Sequence, residues 1–113
     1  MSTRQVQVHQ LKFANGNATS TTNQSTESVN LWGAHNSFQV NLTGTGTVSV
    51  TAAIEVSNDR SNWITATSLS LSGTNSDTDG ATLQSGWAYA RVTLSSINGT
   101  SATASVFHAG WGA

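Results

Sequence analysis

The sequence predicts an all-β fold, an antiparallel β-sandwich of the jelly-roll or Ig-like kind with about seven strands, and three observations predict it. Apolar and polar residues alternate over long runs, most clearly where Val48, Val50, Ala52, Ile54 and Val56 are interleaved with Ser49, Thr51, Ala53 and Glu55. In an extended chain a period of two puts every second side chain on one face. Ser and Thr supply 17 residues each and Asn and Gly 10 each among 113, while the helix formers Lys, Glu and Met are scarce. Thr and Val suit a pleated surface better than a helix. Finally, Asn, Asp, Gly and Ser cluster between the alternating runs, at the roughly 8–12-residue spacing of short strands joined by turns.

Taken in order, Gln5 to Phe13 reads as a first strand in which Val6 and Val8 lie on one face and Leu11 and Phe13 on the other. That shift predicts a bulge near His9 or a strand that changes sheets. Asn15 to Ser28 has almost nothing apolar and reads as a long loop, so residues 1–28 form a strand and polar arm. Residues 29–113 form the sandwich body of a single domain. Val29 to Trp32 is a short extended piece ending at Gly33. Ser37 to Thr43 turns Phe38, Val40 and Leu42 inward, and Gly44-Thr45-Gly46 predicts a tight turn into the central run Val48 to Val56.

The polar stretch Ser57 to Asn62 predicts a hairpin loop, from which the chain returns through Trp63, Thr65, Thr67, Leu69 and Leu71, with Trp63 capping the core. Ser72 to Thr82 reads as a polar connection. Gly86 to Leu94 is the next strand, with Ala88, Ala90, Val92 and Leu94 on one face and Trp87, Tyr89, Arg91 and Thr93 on the other. Ile97-Asn98-Gly99-Thr100 is a hairpin signal. Ala102 to His108 closes the fold with Val106 inward, or Phe107 inward if a bulge intervenes.

Lys and Arg number 4 against 5 Asp and Glu, a net charge of -1, and charged residues make up 8% of the chain. That is about a third of the usual share of roughly 25%. So few cations displace few counterions from a phosphate backbone, which argues against nucleic-acid binding. There is no cysteine, hence no disulfide and no thiol nucleophile. The start, Met-Ser-Thr-Arg-Gln-Val-Gln-Val, has no apolar run, so no signal peptide or membrane span is expected and the chain is read as made in a cytosol.

The chemistry-bearing patterns are sparse. Asp77-Thr-Asp79-Gly80 has the opening spacing of a calcium loop, but Gln84 and Ser85 stand where the closing carboxylate belongs, so a plain turn is preferred. His9, His35 and His108 share no ligand spacing. Strand ends could gather them around zinc, although separate packing histidines are commoner. No Gly-X-Ser-X-Gly exists, and Glu27, Glu55 and Asp59 have little room for a cleft about them. No enzyme activity, catalytic residue, metal or cofactor is expected. Trp32, Trp87, Tyr89 and Trp111 are the expected interface residues, packing on another subunit. Stacking of exposed indoles on sugar rings is the alternative.

The segment Glu55-Val-Ser-Asn-Asp-Arg-Ser-Asn-Trp63, then Leu69-Ser-Leu-Ser-Gly, then Trp87-Ala-Tyr-Ala-Arg-Val-Thr-Leu with Asn98-Gly-Thr, resembles small β-sandwich structural proteins of tailed bacteriophage virions. The resemblance spans about Val48 to Ala109, and Arg60 stands where a glycine is usual in that turn. It implies a non-enzymatic virion component made in the host bacterial cytoplasm. The expected role is a capsid decoration or cement protein that contacts a major capsid protein and itself, as a homotrimer or another symmetric oligomer, with residues 1–28 as an arm ordered by a neighbour. A tail-fibre or carbohydrate-binding module recognising a host glycan is the second reading.

Overall fold

A computed structural model of the chain describes residues 7–13, 24–31, 35–84 and 86–111. Among the described residues six strands form, β1 (Gln7–Leu11), β2 (Gln24–Ser25), β3 (Val29–Asn30), β4 (His35–Ser57), β5 (Ile64–Gln84) and β6 (Tyr89–Trp111), and no helix occurs. Every pairing is antiparallel. The main order is β1-β6-β4-β5, with β2 and β3 also pairing to β6.

Three of these strands are far longer than expected, which accounts for six described strands where about seven were expected. A straight strand of 23 residues would span about 76 Å at ~3.3 Å per residue, yet the longest dimension of the molecule is 46 Å. The long strands must therefore bend. Their irregularities lie side by side: pairing shifts register between Thr43 and Thr47 in β4, Asn75 in β5 has φ 70°, and Ser96, Gly99 and Ser101 in β6 have φ 57°, 125° and 56°. The expected turns at Gly44–Gly46 and Asn98–Gly99 are corners inside continuous strands. The expected connection Ser72 to Thr82 is itself strand, because residues 76–84 pair one by one with Thr43 back to His35.

Each long strand thus contributes to two half-sheets. One contains β1 with the later parts of β5 and β6 and the start of β4. The other contains β2, β3, the later part of β4 and the earlier parts of β5 and β6. Phe38, Val40 and Leu42 from one half and Val48, Val50, Ala52, Ile54 and Val56 from the other belong to a single buried cluster. Leu69, Leu71, Ala90, Val92, Leu94, Ala102, Ala104 and Val106 belong to it too, with Leu11, Phe13, Val29, Leu31 and Ile97, so the halves face each other across one core. The alternation predicted inward residues correctly in β4 and β6, and Val106 is inward with Phe107 on the outer side.

Glycines permit the corner. A Cβ on Gly44 would lie 2.6 Å from Val48 Cγ1, and one on Gly99 would lie 2.8 Å from the Thr47 carbonyl oxygen at a φ that side chains rarely adopt.

At the N-terminal side, Val8 is 63% exposed while Leu11 and Phe13 are buried. Ordinary alternation over Val8, Gln10, Leu11 and Phe13 accounts for this, without the expected bulge near His9. Of the expected arm, residues 7–13 and 24–28 are part of the body. β1 pairs with β6, Phe13 bridges Thr26, and Thr26 exchanges hydrogen bonds with Val92, its backbone N–H to the Val92 carbonyl at 2.9 Å and its Oγ1 accepting from the Val92 N–H at 3.0 Å.

Candidate functional site

The outer faces of the two half-sheets differ in chemistry. In the half built around the later part of β4, the odd residues point outward and carry the charges. Arg91 on β6 is opposite Glu55 on β4, and its Nε donates to Glu55 Oε1 at 2.8 Å. Thr93 Oγ1 donates to the same oxygen at 2.7 Å and contacts Ser25 Oγ at 2.8 Å. The Arg91 guanidinium carbon also lies 4.4 Å from the centroid of the Trp63 ring, a cation–π distance. Trp63 is therefore held on the outer face and does not cap the core. A bulge explains this: Ile54 is opposite Thr67 but Glu55 opposite Thr65, so Ala66 is extra and the residues before it change sides.

The adjoining hairpin loop is organised by Asp59. Its Oδ1 accepts the backbone N–H groups of Ser61 and Asn62, each at 2.9 Å, and the Ser57 hydroxyl at 2.9 Å, while Oδ2 accepts Asn62 Nδ2 at 2.9 Å. Those bonds to the ionised form, the Asn62 bonds foremost, hold the Asp59 carboxyl well below the usual carboxylate range. Arg60, at the place of the usual glycine, has φ 63° and so adopts the left-handed backbone that glycine favours. Its side chain is anchored twice, with the guanidinium carbon 4.3 Å from the Tyr89 ring centroid and Nη2 donating to Asn30 Oδ1 at 3.3 Å. Asn58 Oδ1 accepts the Ala88 N–H at 2.9 Å, tying the loop to the start of β6.

Among the described residues, the outward strand positions of the other half carry no Asp, Glu, Lys or Arg, although Asp79 lines the groove at its β5 edge. Across it run rows set by register, such as Gln10, Phe107, Gln39 and Gly80, and beside them Ala109, Ser37 and Thr82. Because Gly80 has no side chain, an open groove of about 710 Å³ lies there, lined by Ser37, Gln39, Thr78, Asp79 and Thr82. Gly80 is required, since a Cβ would sit 2.7 Å from the Phe38 carbonyl oxygen.

Of the expected interface residues, the side chains of Trp87 and Tyr89 are among those described. Tyr89 lies under Arg60, and Trp87 is half-buried against the core edge. Trp32 and the side chain of Trp111 lie outside the described residues. Asp77 and Asp79 stand in β5, not in a turn, with Asp77 accepting from the Ser72 and Thr78 N–H groups and Asp79 from Gly80 N–H. Register sets His9 opposite His108, and His108 Nε2 lies 3.0 Å from the buried Asn36 Oδ1, with the Phe38 ring 4.9 Å away. His35 is opposite Trp111 at the start of β4. Among the described residues no three His, Asp or Glu side chains gather as a metal site. Sequence reasoning missed Phe107 and the groove over Gly80. Strict alternation from Val106 pointed to the former, whereas the groove depends on a cross-strand row invisible in the order of residues.

No protein-family model matches the chain, and no curated protein matches it. A solved structure described as "CBM4 structure and function" is similar in fold, with a TM-score of 0.50 at 11% identity. The likeness covers 83% of this chain and 60% of that one, so this chain spans less than two thirds of its length. It is a likeness of the β-sandwich architecture.

Proposed function

We propose that the protein acts by surface contact without catalysis, as a structural component of a bacteriophage virion, and specifically as a capsid decoration or cement protein. One observation carries this reading. Glu55, Asp59, Trp63 and Arg91, all within the segments that resemble virion sandwiches, lie in two local networks on one outer side, and Arg91 closes one face of the Trp63 ring. Arg60 does the same to Tyr89. Rings closed in this way brace a loop and a sheet, which suits a rigid building part better than a ligand platform. The opposite face is largely neutral, with Asp79 at its groove, and most of it can be buried against a protein without desolvating a charge. Its partners in this reading are a major capsid protein and further copies of itself. The test is addition of purified protein to undecorated capsids. Saturation at a fixed number of copies per shell, with raised resistance to heat, is the expected outcome, and absence of binding refutes the reading.

Glycan recognition is favoured by a different observation, the groove over Gly80. Ser37, Gln39, Thr78 and Thr82 supply uncharged hydrogen-bonding groups there and Asp79 a carboxylate, a set suited to hydroxyl-rich ligands. The fold likeness to a carbohydrate-binding module agrees with it. Retention of the protein in a polysaccharide-containing gel, abolished by Gln39→Ala with Asp79→Ala, supports that reading. Unretarded migration across neutral and acidic polysaccharides rejects it.

A further inference from the structure

The two half-sheets have four edges, and three of them are blunted. β2 and β3 contribute only two residues each, and β1 contributes five and is followed directly by Lys12. The later part of β5 carries Asp77 and Asp79, two charges along an edge. Short strands and charged side chains are devices by which sheets avoid pairing edge to edge.

The fourth edge, Thr67 to Leu71 in the earlier part of β5, has none of these. It has no charge, no proline and no glycine. Among the described residues β5 pairs with β4 alone, and none of them pairs with the other side of this strand. Its ends are marked by the Ala66 bulge and by Asp77, which accepts the Ser72 N–H at 3.0 Å. Between those marks Leu69 and Leu71 are buried, and Ser68 and Ser70 are exposed.

We infer that this edge pairs with the same edge of a second copy of the chain, forming a two-fold dimer with a sheet continuous across both molecules. The segment complements itself. In antiparallel pairing centred on Leu69, opposed residues share a face: Leu69 meets Leu69, Thr67 meets Leu71, and Ser68 meets Ser70 of the other copy. Apolar residues then extend one core into the next, hydroxyls face hydroxyls, and no like charges meet. A second copy is the occupant favoured here because the complement of this short neutral strand is the strand itself.

The experiment is light scattering coupled to gel filtration over a wide concentration range, on the unaltered chain and on Ser68→Lys with Ser70→Lys. Both serines are exposed, so the double variant should fold, with an unchanged circular-dichroism spectrum and thermal midpoint. The unaltered chain is expected to have the mass of two chains and the variant that of one. A control, Thr103→Lys on the neutral outer face, should remain dimeric. An unaltered chain of one or of three chains overturns the inference, as does a double variant that keeps the parent mass. Loss of the dimer in the Thr103→Lys control shifts the interface to the neutral face and overturns it as well. The inference is independent of the capsid and glycan readings, since a monomer that still binds shells or polysaccharide refutes this edge alone.

Discussion

The two outer faces cover one core and use their residues in opposite ways. On one, Arg91 ties Glu55, Thr93 and Trp63 together, and Arg60 and Asp59 lock the adjoining loop. On the other, rows of Ser, Thr, Asn and Gln surround Phe107 and the gap at Gly80. In a chain with nine charged residues in all, four of those described are committed to bracing a single side. On the first face charge acts as a structural device, whereas on the second uncharged hydroxyl and amide groups predominate.

The largest expected effects test whether the two faces share a single core. Ile54→Ala lies beneath the charged face and Leu42→Ala beneath the neutral one, and both residues are fully buried. Each should lose about 2–5 kcal/mol of stability through lost burial and a cavity. A denaturant midpoint that moves for one and not the other would mean two separate cores. Next is the corner between the halves. Gly99→Ala forces a side chain into φ 125° and against the Thr47 carbonyl, and should cost about 1–3 kcal/mol. An unshifted thermal midpoint would show that the corner can relax.

The contrast between the faces predicts a third, intermediate effect. Arg91→Ala strips the charged partner from Glu55, whose side chain is only 17% exposed, and should cost about 1.5–3 kcal/mol. Gln39→Ala on the neutral face should stay within ~0.5 kcal/mol, as surface substitutions usually do. Equal losses measured by urea denaturation would remove the distinction between a bracing and a contact face.

Acidification probes the same side more gently. A carboxyl whose folded pKa is depressed contributes stability that is complete above its unfolded value of about 3.9 and disappears as pH falls through the lower folded value. The Asp59 loop should therefore stay ordered through the usual carboxylate range and loosen only below it, as followed by the amide resonances of Ser61 and Asn62. Loosening already above pH ~4 would contradict the hydrogen bonding. The smallest effect is expected for Arg60→Gly. Relief of left-handed backbone is worth about 1–2 kcal/mol, and loss of the stacking on Tyr89 opposes it by about 0.5–1 kcal/mol. A large destabilisation would place the Arg60 anchor above its backbone cost.

The sequence by itself determined the strand character of the chain, the inward set Phe38 to Val56 on β4, the inward set Ala90 to Leu94 on β6, and the loop at Ser57 to Asn62. Each of these is encoded by a period of two or by turn-forming side chains, which are properties of neighbours along the chain. Only the tertiary structure decided that Gly44–Gly46 and Asn98–Gly99 are corners within strands, because glycine permits a sharp bend equally well in a turn or in a continuing strand. Cross-strand pairing settles which one forms. The same holds for the polar run Ser72 to Thr82, which is strand by virtue of its partner, and for Trp63, moved to the outer face by one extra residue at Ala66. A one-residue slip exchanges the two faces of a strand, and that slip depends on a partner far away in the sequence.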